Sequence, residues 1–182
     1  MNFLASKAQL RASFMRWALF LVPLIVLLGY LSGQFGSADT VWFDRLEKPA
    51  AFPPPATFGI VWTVLYVMIG LSLALVASAW GAYGRGLAII VFALHFVGNL
   101  AWSPVFFGAR DMVAALFVIG YMVLTLIVTI AVFWRVRRLA ALLLLPYLGW
   151  VLFAGLLNYQ FIEANPDGGS AASEGALERI EL

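Results

Sequence analysis

Five long apolar segments alternate with polar joints along the chain, at about residues 17–35, 58–80, 87–107, 112–134 and 139–162. None of these segments contains Asp, Glu, Lys or Arg. A helix of about 20 residues, rising roughly 1.5 Å per residue, crosses the hydrocarbon of a bilayer. Membrane-spanning strands would instead alternate polar and apolar residues over roughly 10 positions. The pattern therefore predicts an all-α integral membrane protein, a bundle of five transmembrane helices.

The joints predict how the helices are connected. The joint after the second segment holds three glycines and Arg85, and the two that follow it are also brief. Short joints make neighbouring helices antiparallel. The first joint is about 22 residues long (36–57) and contains Pro53, Pro54 and Pro55, which cannot lie inside a helix. We therefore predict a long, ordered first loop at the mouth of the bundle.

The flanks divide the chain into three parts: an N-terminal flank (1–16), the helical domain (17–162) and a disordered acidic tail (163–182). Seven Lys and Arg residues lie in the N-terminal flank and in the second and fourth joints, against three or four on the opposite side. Basic residues accumulate on the cytoplasmic side of an inner membrane. We expect a multi-pass protein of a bacterial inner membrane, with its N-terminus inside and its first loop outside.

Composition narrows the functional class. The chain is 64% hydrophobic and 11% charged, with a net charge of +2 and no cysteine. The few basic residues form no concentrated face, which excludes nucleic-acid binding, and disulfide or thiolate chemistry is excluded too. Within the apolar segments there is no carboxylate pair, Ser–His arrangement or phosphate-binding glycine loop. We therefore predict neither catalytic residues nor a metal site.

One face of the third helix carries most of its informative side chains. His95, Asn99, Trp102 and Phe106 recur at helical spacing. Pro104 lies beside them and has no N–H to donate to the Leu100 carbonyl, so the helix should bend there.

Aromatic stripes also appear on two other helices. The second helix presents Trp62 and Tyr66, and the fifth presents Trp150, Phe153 and Leu157, flanked by Ala154 and Asn158. A cavity walled by indole rings, with a few amides, suits a flat and mostly hydrophobic ligand.

Other interpretations of these residues stay open at this point. Tryptophans near helix ends often form an interfacial belt, and intramembrane asparagines often bond across helices. His95, the only histidine, could be an axial ligand of a metalloporphyrin or a neutral hydrogen-bonding residue.

Three motifs together resemble the TspO/MBR family of tryptophan-rich sensory proteins, which are related to the mitochondrial translocator protein. The first, in the first loop and second helix, reads Trp42-x3-Leu46-x-Lys48-Pro49-x3-Pro53-Pro54, followed by Phe58-Gly59-x2-Trp62-x2-Leu65-Tyr66. The second reads Asn99-x2-Trp102-Ser103-Pro104-x-Phe106-Phe107-Gly108-Ala109-Arg110. The third reads Pro146-Tyr147-x2-Trp150-x2-Phe153-Ala154-x3-Asn158. The resemblance covers about residues 17–162.

The resemblance implies a dimeric five-helix bundle whose pocket is closed by the first loop. It implies binding of tetrapyrroles (porphyrins and haem-pathway intermediates) or sterol-like lipids, with no required cofactor beyond a bound porphyrin or haem. The protein would be a carrier, a sequestering protein or a stress or oxygen sensor. A light- or oxygen-dependent porphyrin-degrading enzyme and a scaffold for another membrane protein are the alternatives.

The expected site combines the family's pocket positions with the aromatic stripes. The ligand-binding residues are Trp62, Tyr66, His95, Asn99, Trp102, Phe106, Trp150, Ala154 and Leu157, and the lid residues are Trp42, Lys48, Pro49, Pro53 and Pro54. The chain departs from the family at Ala51 and Ala56, where aromatic residues are usual, and at His95, where glutamine is frequent. No Lys or Arg follows Tyr159 closely, so the cholesterol-recognition pattern of animal relatives is incomplete.

Overall fold

The computed structural model describes residues 6–168, which form helices joined by turns and one longer loop. The helices are α1 (Lys7–Gln34), α2 (Val41–Arg45), α3 (Pro55–Ala77), α4 (Arg85–Ser103), α5 (Met112–Val136), α6 (Arg138–Leu143) and α7 (Leu145–Ala164), and a π-helical turn (Pro104–Gly108) follows α4. Within these residues, five spans are long and apolar enough to cross a membrane: α1, α3, α4 with its π turn, α5, and α6 with α7. The predicted bundle of five transmembrane helices is confirmed.

Several helix ends differ from the ends of the apolar segments. α1 begins ten residues before the first segment, because Ser6 and Gln9 form a reciprocal capping box at its start. α3 begins at Pro55, since the first position of a helix does not need the N–H that proline lacks. α7 ends at Ala164, and residues 169–182 of the predicted acidic tail lie outside the described residues.

The spans pack in sequence-adjacent pairs, with α1 against α3, α4 against α5, and α5 against α7. α1 and α3 approach so closely that a Cβ at Gly70 would collide with the backbone of Val22. The core between the spans is apolar, and large apolar side chains such as Leu19 and Phe117 cover the outside. An apolar exterior is the arrangement that a lipid environment requires.

The regular helix is interrupted beside a proline in two of the spans. At each interruption, a serine from another helix donates a hydrogen bond to a backbone carbonyl. The regular α-helix ends at Ser103, before Pro104, and the wider π turn follows. Ser32 of α1 donates a hydrogen bond of 2.6 Å to the Leu100 carbonyl, the group that Pro104 cannot serve.

The second break separates α6 from α7 just before Pro146. There the Leu144 N–H turns to the Ala141 carbonyl, and Ser72 of α3 donates to the Ala140 carbonyl at 2.7 Å. Buried carbonyls must find donors inside a membrane protein, because lipid offers none.

Replacing Ser32 with alanine should destabilise the bundle by about 1–2 kcal/mol, since it removes a buried partner of the Leu100 carbonyl. The free energy of unfolding in detergent, followed by circular dichroism, measures the loss. Pro104→Ala restores the missing N–H and supplies the control, because in that background Ser32→Ala should cost much less. An equal cost in both backgrounds would show that the serine does not compensate for the proline.

Candidate ligand-binding site

A cavity of about 830 Å³ lies between the spans, beneath the first loop. α1, α3, α4 with its π turn, α5 and α7 supply its walls, and the loop supplies its roof. The charged side chains among the lining residues are Asp39, Asp44 and Lys48, which all belong to the loop. The rest of the lining is therefore uncharged and mostly apolar and aromatic, with a few polar groups such as Asn99 and Asn158, while the mouth is charged.

The structure brings most of the predicted ligand-binding residues together around this cavity. Eight of the nine line it: Trp62, Tyr66, Asn99, Trp102, Phe106, Trp150, Ala154 and Leu157. His95 is the exception. It lies one helical turn below Asn99 and is only 1% exposed, with its ring nitrogens 3.0 Å from Thr125 Oγ1 and from the Tyr147 hydroxyl. With both nitrogens engaged in this geometry, His95 offers no free nitrogen to a metalloporphyrin.

Aromatic pairs form the walls of the cavity. Trp62 stacks on Tyr66 with ring centroids 5.3 Å apart, and Trp102 stacks on Phe106 at 5.2 Å. Trp150 meets Phe58 edge to face at 5.7 Å. Such pairs hold each other in place, so the rings offer rigid surfaces to a ligand.

Hydrogen bonds to side chains of α7 orient two of the cavity-lining residues, Trp102 and Asn99. The Trp102 indole donates to Asn158 Oδ1 at 3.3 Å, and Asn158 Nδ2 donates to the Met112 carbonyl at 2.8 Å. The Asn99 Nδ2 group donates to the Tyr147 hydroxyl at 2.7 Å. Among the described residues, the buried indole nitrogen of Trp150 has no hydrogen-bond partner.

The lid residues divide into those that face the cavity and those that hold the loop. Lys48, Pro53 and Pro54 line the cavity, whereas Trp42 and Pro49 do not. Trp42 is 1% exposed and packs edge to face on Phe106, with centroids 6.0 Å apart. The indole therefore anchors the loop to the bundle.

Lys48 is bound within the lid itself. Its ammonium donates to the carbonyls of Phe43, Asp44 and Leu46 at 2.7–3.2 Å and lies 4.8 Å from the centroid of the Phe43 ring. A cation at the C-terminal end of a helix satisfies its free carbonyls and its dipole. Lys48 thus stabilises α2 and also places a positive charge at the mouth of the cavity.

The lid is also fastened to the ends of two spans. Asn165, just after α7, pairs with the backbone of Glu47 through two hydrogen bonds of 3.0 Å. At the start of the loop, Ser103 donates to the Gly36 carbonyl at 2.7 Å. A Cβ at Gly36 would collide with the backbone of Ser103, so this approach requires glycine.

Part of the cavity lining was not predicted from the sequence. Phe52 reaches the cavity and contacts Phe43, Phe58 and Phe161, whereas Ala51 and Ala56, on either side of the Phe52–Pro55 stretch, are exposed. The phenylalanine beside the prolines was a usable signal. The wall from α1, which includes Val26, Gly29 and Tyr30, was indicated only by the Gly29-x3-Gly33 spacing, which is typical of close helix contacts, because that helix has no tryptophan stripe there.

Gly29 controls the position of a cavity wall. A Cβ at this position would overlap the ring of Tyr66, so only glycine lets that ring lie between α1 and α3. Gly33, one turn further along, has open space at its Cβ position and also borders the cavity.

The fold and the site define a class: multi-pass helical membrane proteins of five spans, in which a loop covers an aromatic cavity. The family model for the TspO/MBR family matches residues 20–163. The chain belongs to the TspO/MBR family.

Individual relatives come from bacteria and from animals. The chain is 35% identical over 147 residues to the tryptophan-rich protein TspO of Chlorobaculum tepidum, covering 80% of this chain and 93% of that protein. It is 35% identical over 152 residues to the tryptophan-rich sensory protein of Cereibacter sphaeroides, covering 83% and 94%. It is 31% identical over 147 residues to the translocator protein of Bos taurus, covering 75% and 83%.

Asn165→Ala should loosen the lid, because Glu47 loses both of its bonds to the end of α7. We expect amide exchange across residues 41–54 to accelerate by about 5- to 30-fold, as follows from about 1–2 kcal/mol. Hydrogen exchange with mass spectrometry in detergent measures it. Glu163→Ala is the control, since Glu163 is exposed and bonds to Tyr159. Unchanged lid exchange in Asn165→Ala would show that this fastening does not hold the loop.

Proposed function

We propose that the cavity binds a tetrapyrrole, or a similarly flat hydrophobic ligand, and that the protein acts as a carrier, a sequestering protein or a sensor. The observation that carries the proposal is the cavity itself. Trp62, Trp102 and Trp150 line an 830 Å³ space whose charged lining groups all lie at the mouth. Ligand cavities are typically about 300–1,000 Å³ and mostly apolar, with few polar groups.

The charge distribution favours one orientation of the ligand. An apolar macrocycle would lie between the indole rings, and its charged substituents would remain at the mouth near Lys48 and solvent. Burying a carboxylate in the deeper cavity would be costly, since none of the described residues that line it there is a cation. Asn99 and Tyr66 are among the polar residues that line the cavity below the lid and could meet the ligand.

The proposed setting is a bacterial inner membrane, with the N-terminus inside and the lid outside. The support is the excess of Lys and Arg on the side opposite the lid. A homodimer is part of the same proposal, as the family resemblance implies. The expected ligands, porphyrin or haem and sterol-like lipid, come from the membrane or from the lid side.

Trp62→Ala and Trp150→Ala should each weaken protoporphyrin IX binding by roughly 5- to 30-fold, because each removes an aromatic wall worth about 1–2 kcal/mol. Quenching of tryptophan fluorescence by added porphyrin in detergent gives the Kd. Trp134→Ala is the matched control, since Trp134 is 46% exposed and does not line the cavity. Equal affinity in all three variants would contradict binding at this site.

The same samples distinguish the alternatives. Porphyrin degradation would make use of Trp62 and Trp150 as redox-active indoles, and both line the cavity. Illumination of the complex in air should then bleach the porphyrin absorbance faster than illumination of the same porphyrin in detergent without protein. A scaffold would instead purify with one stoichiometric partner and bind no porphyrin.

A further inference from the structure

We propose that His95, which lies behind the cavity, sets the hydrogen-bonding polarity of Asn99, which lines it, so that the cavity selects ligands carrying a hydroxyl or N–H donor. The two residues are connected through Tyr147, which is fully buried. The inference rests on the proposed ligand-binding function and specifies the chemistry of the ligand at that site.

The contact between Thr125 and His95 determines which group donates at each step of this series of hydrogen bonds. Thr125 Oγ1 donates to the Tyr121 carbonyl at 2.7 Å, which uses the single hydrogen of the hydroxyl. The contact of 3.0 Å between Thr125 Oγ1 and His95 Nδ1 therefore has the histidine as donor. A neutral ring with its hydrogen on Nδ1 leaves Nε2 as an acceptor.

The protonation of His95 then determines how Tyr147 and Asn99 are hydrogen-bonded. His95 Nε2 accepts from the Tyr147 hydroxyl at 3.0 Å, so the Tyr147 oxygen is free to accept. It accepts from Asn99 Nδ2 at 2.7 Å. The amide of Asn99 is thereby held with its nitrogen toward Tyr147 and its oxygen toward Tyr66, whose hydroxyl is 3.3 Å away.

A hydrogen on Nε2 would break this arrangement. Tyr147 Oη would then receive N–H groups from both His95 and Asn99, its two side-chain partners among residues 6–168. Its own hydrogen would have no acceptor, which is costly for a hydroxyl that is 0% exposed. With the Asn99 amide oriented as described above, the contacts agree with this direction of donation only.

The consequence for a ligand lies at Asn99 and Tyr66, which both line the cavity. The amide oxygen of Asn99 is an acceptor with one long contact, so a ligand hydroxyl or N–H gains a bond there. A ligand carbonyl at the same place would leave that oxygen without a short donor. The chain of bonds ends on a backbone carbonyl of α5, so its role is orientation of the amide and not proton transfer.

Substitutions of His95 separate orientation from packing. Glutamine can accept from Tyr147 through its oxygen and donate to Thr125 through its nitrogen, which preserves the direction. Leucine fills the space but accepts nothing, so the Tyr147 hydroxyl is free to donate to Asn99. The amide then reverses and presents its nitrogen to the cavity.

The test compares 9-fluorenol with 9-fluorenone. These two ligands share the same fused rings, but at one carbon the first carries a hydroxyl and the second a carbonyl. Calorimetry in detergent should give the wild type a Kd about 3- to 10-fold lower for the alcohol. His95→Gln should keep this preference, and His95→Leu should abolish or reverse it. If His95→Leu does not fold, Tyr147→Phe interrupts the same connection and should abolish the preference. An unchanged preference in whichever of these variants folds would overturn the proposal.

A spectroscopic test needs no ligand. Because the chain has one histidine, ¹⁵N-histidine labelling reports on His95 alone. The ¹⁵N shifts should identify the neutral form protonated at Nδ1, and the form protonated at Nε2 would overturn the proposal. If protoporphyrin IX binds but the two fluorene ligands have equal Kd values, the proposed selectivity is overturned and the proposed function is not. Binding of neither the porphyrin nor a fluorene ligand would overturn the proposed function as well.

Discussion

The structure depends on one constraint: a carbonyl buried among transmembrane helices must find its hydrogen-bond donor inside the protein. Pro104 withdraws such a donor in the third span, and Ser32 of the first span replaces it. At the break between α6 and α7, Ser72 of α3 donates to the Ala140 carbonyl, because the Leu144 N–H turns to the Ala141 carbonyl instead. These bonds join helices that are distant in sequence, so the carbonyls freed at the two breaks add hydrogen bonds between spans that do not follow one another in the chain.

The cavity follows from this arrangement. The bonds of Ser32 and Ser103 hold the end of α1 against α4, which fixes where the first loop begins. Asn165 then holds the middle of the loop to the end of α7. With the roof fastened at both places, the walls of the space beneath it are held by the protein's own contacts. A preorganised site of this kind loses less conformational entropy on binding than a flexible one.

Much of this architecture could be predicted from the sequence, because apolar length and helical spacing determine the spans and their aromatic faces. The predicted stripe from Asn99 to Phe106 borders the cavity. His95 lies behind it, and spacing along one helix does not tell where a cavity ends or which neighbouring helix supplies Tyr147. The α1 wall could not be found either, because the contact of Gly29 with Tyr66 depends on how two helices cross. The capping role of Lys48 needed the position of α2.

We propose that the cavity beneath the lid holds a flat tetrapyrrole, and circular dichroism in the Soret region can detect this binding. Protoporphyrin IX is achiral, so a signal appears only when an asymmetric site holds it in a fixed orientation. We predict a signal that saturates at one porphyrin per chain and is lost in Ala154→Trp, because the larger side chain fills the cavity that Ala154 lines. No saturable signal in the wild type, or an unchanged signal in Ala154→Trp, would contradict binding in this cavity.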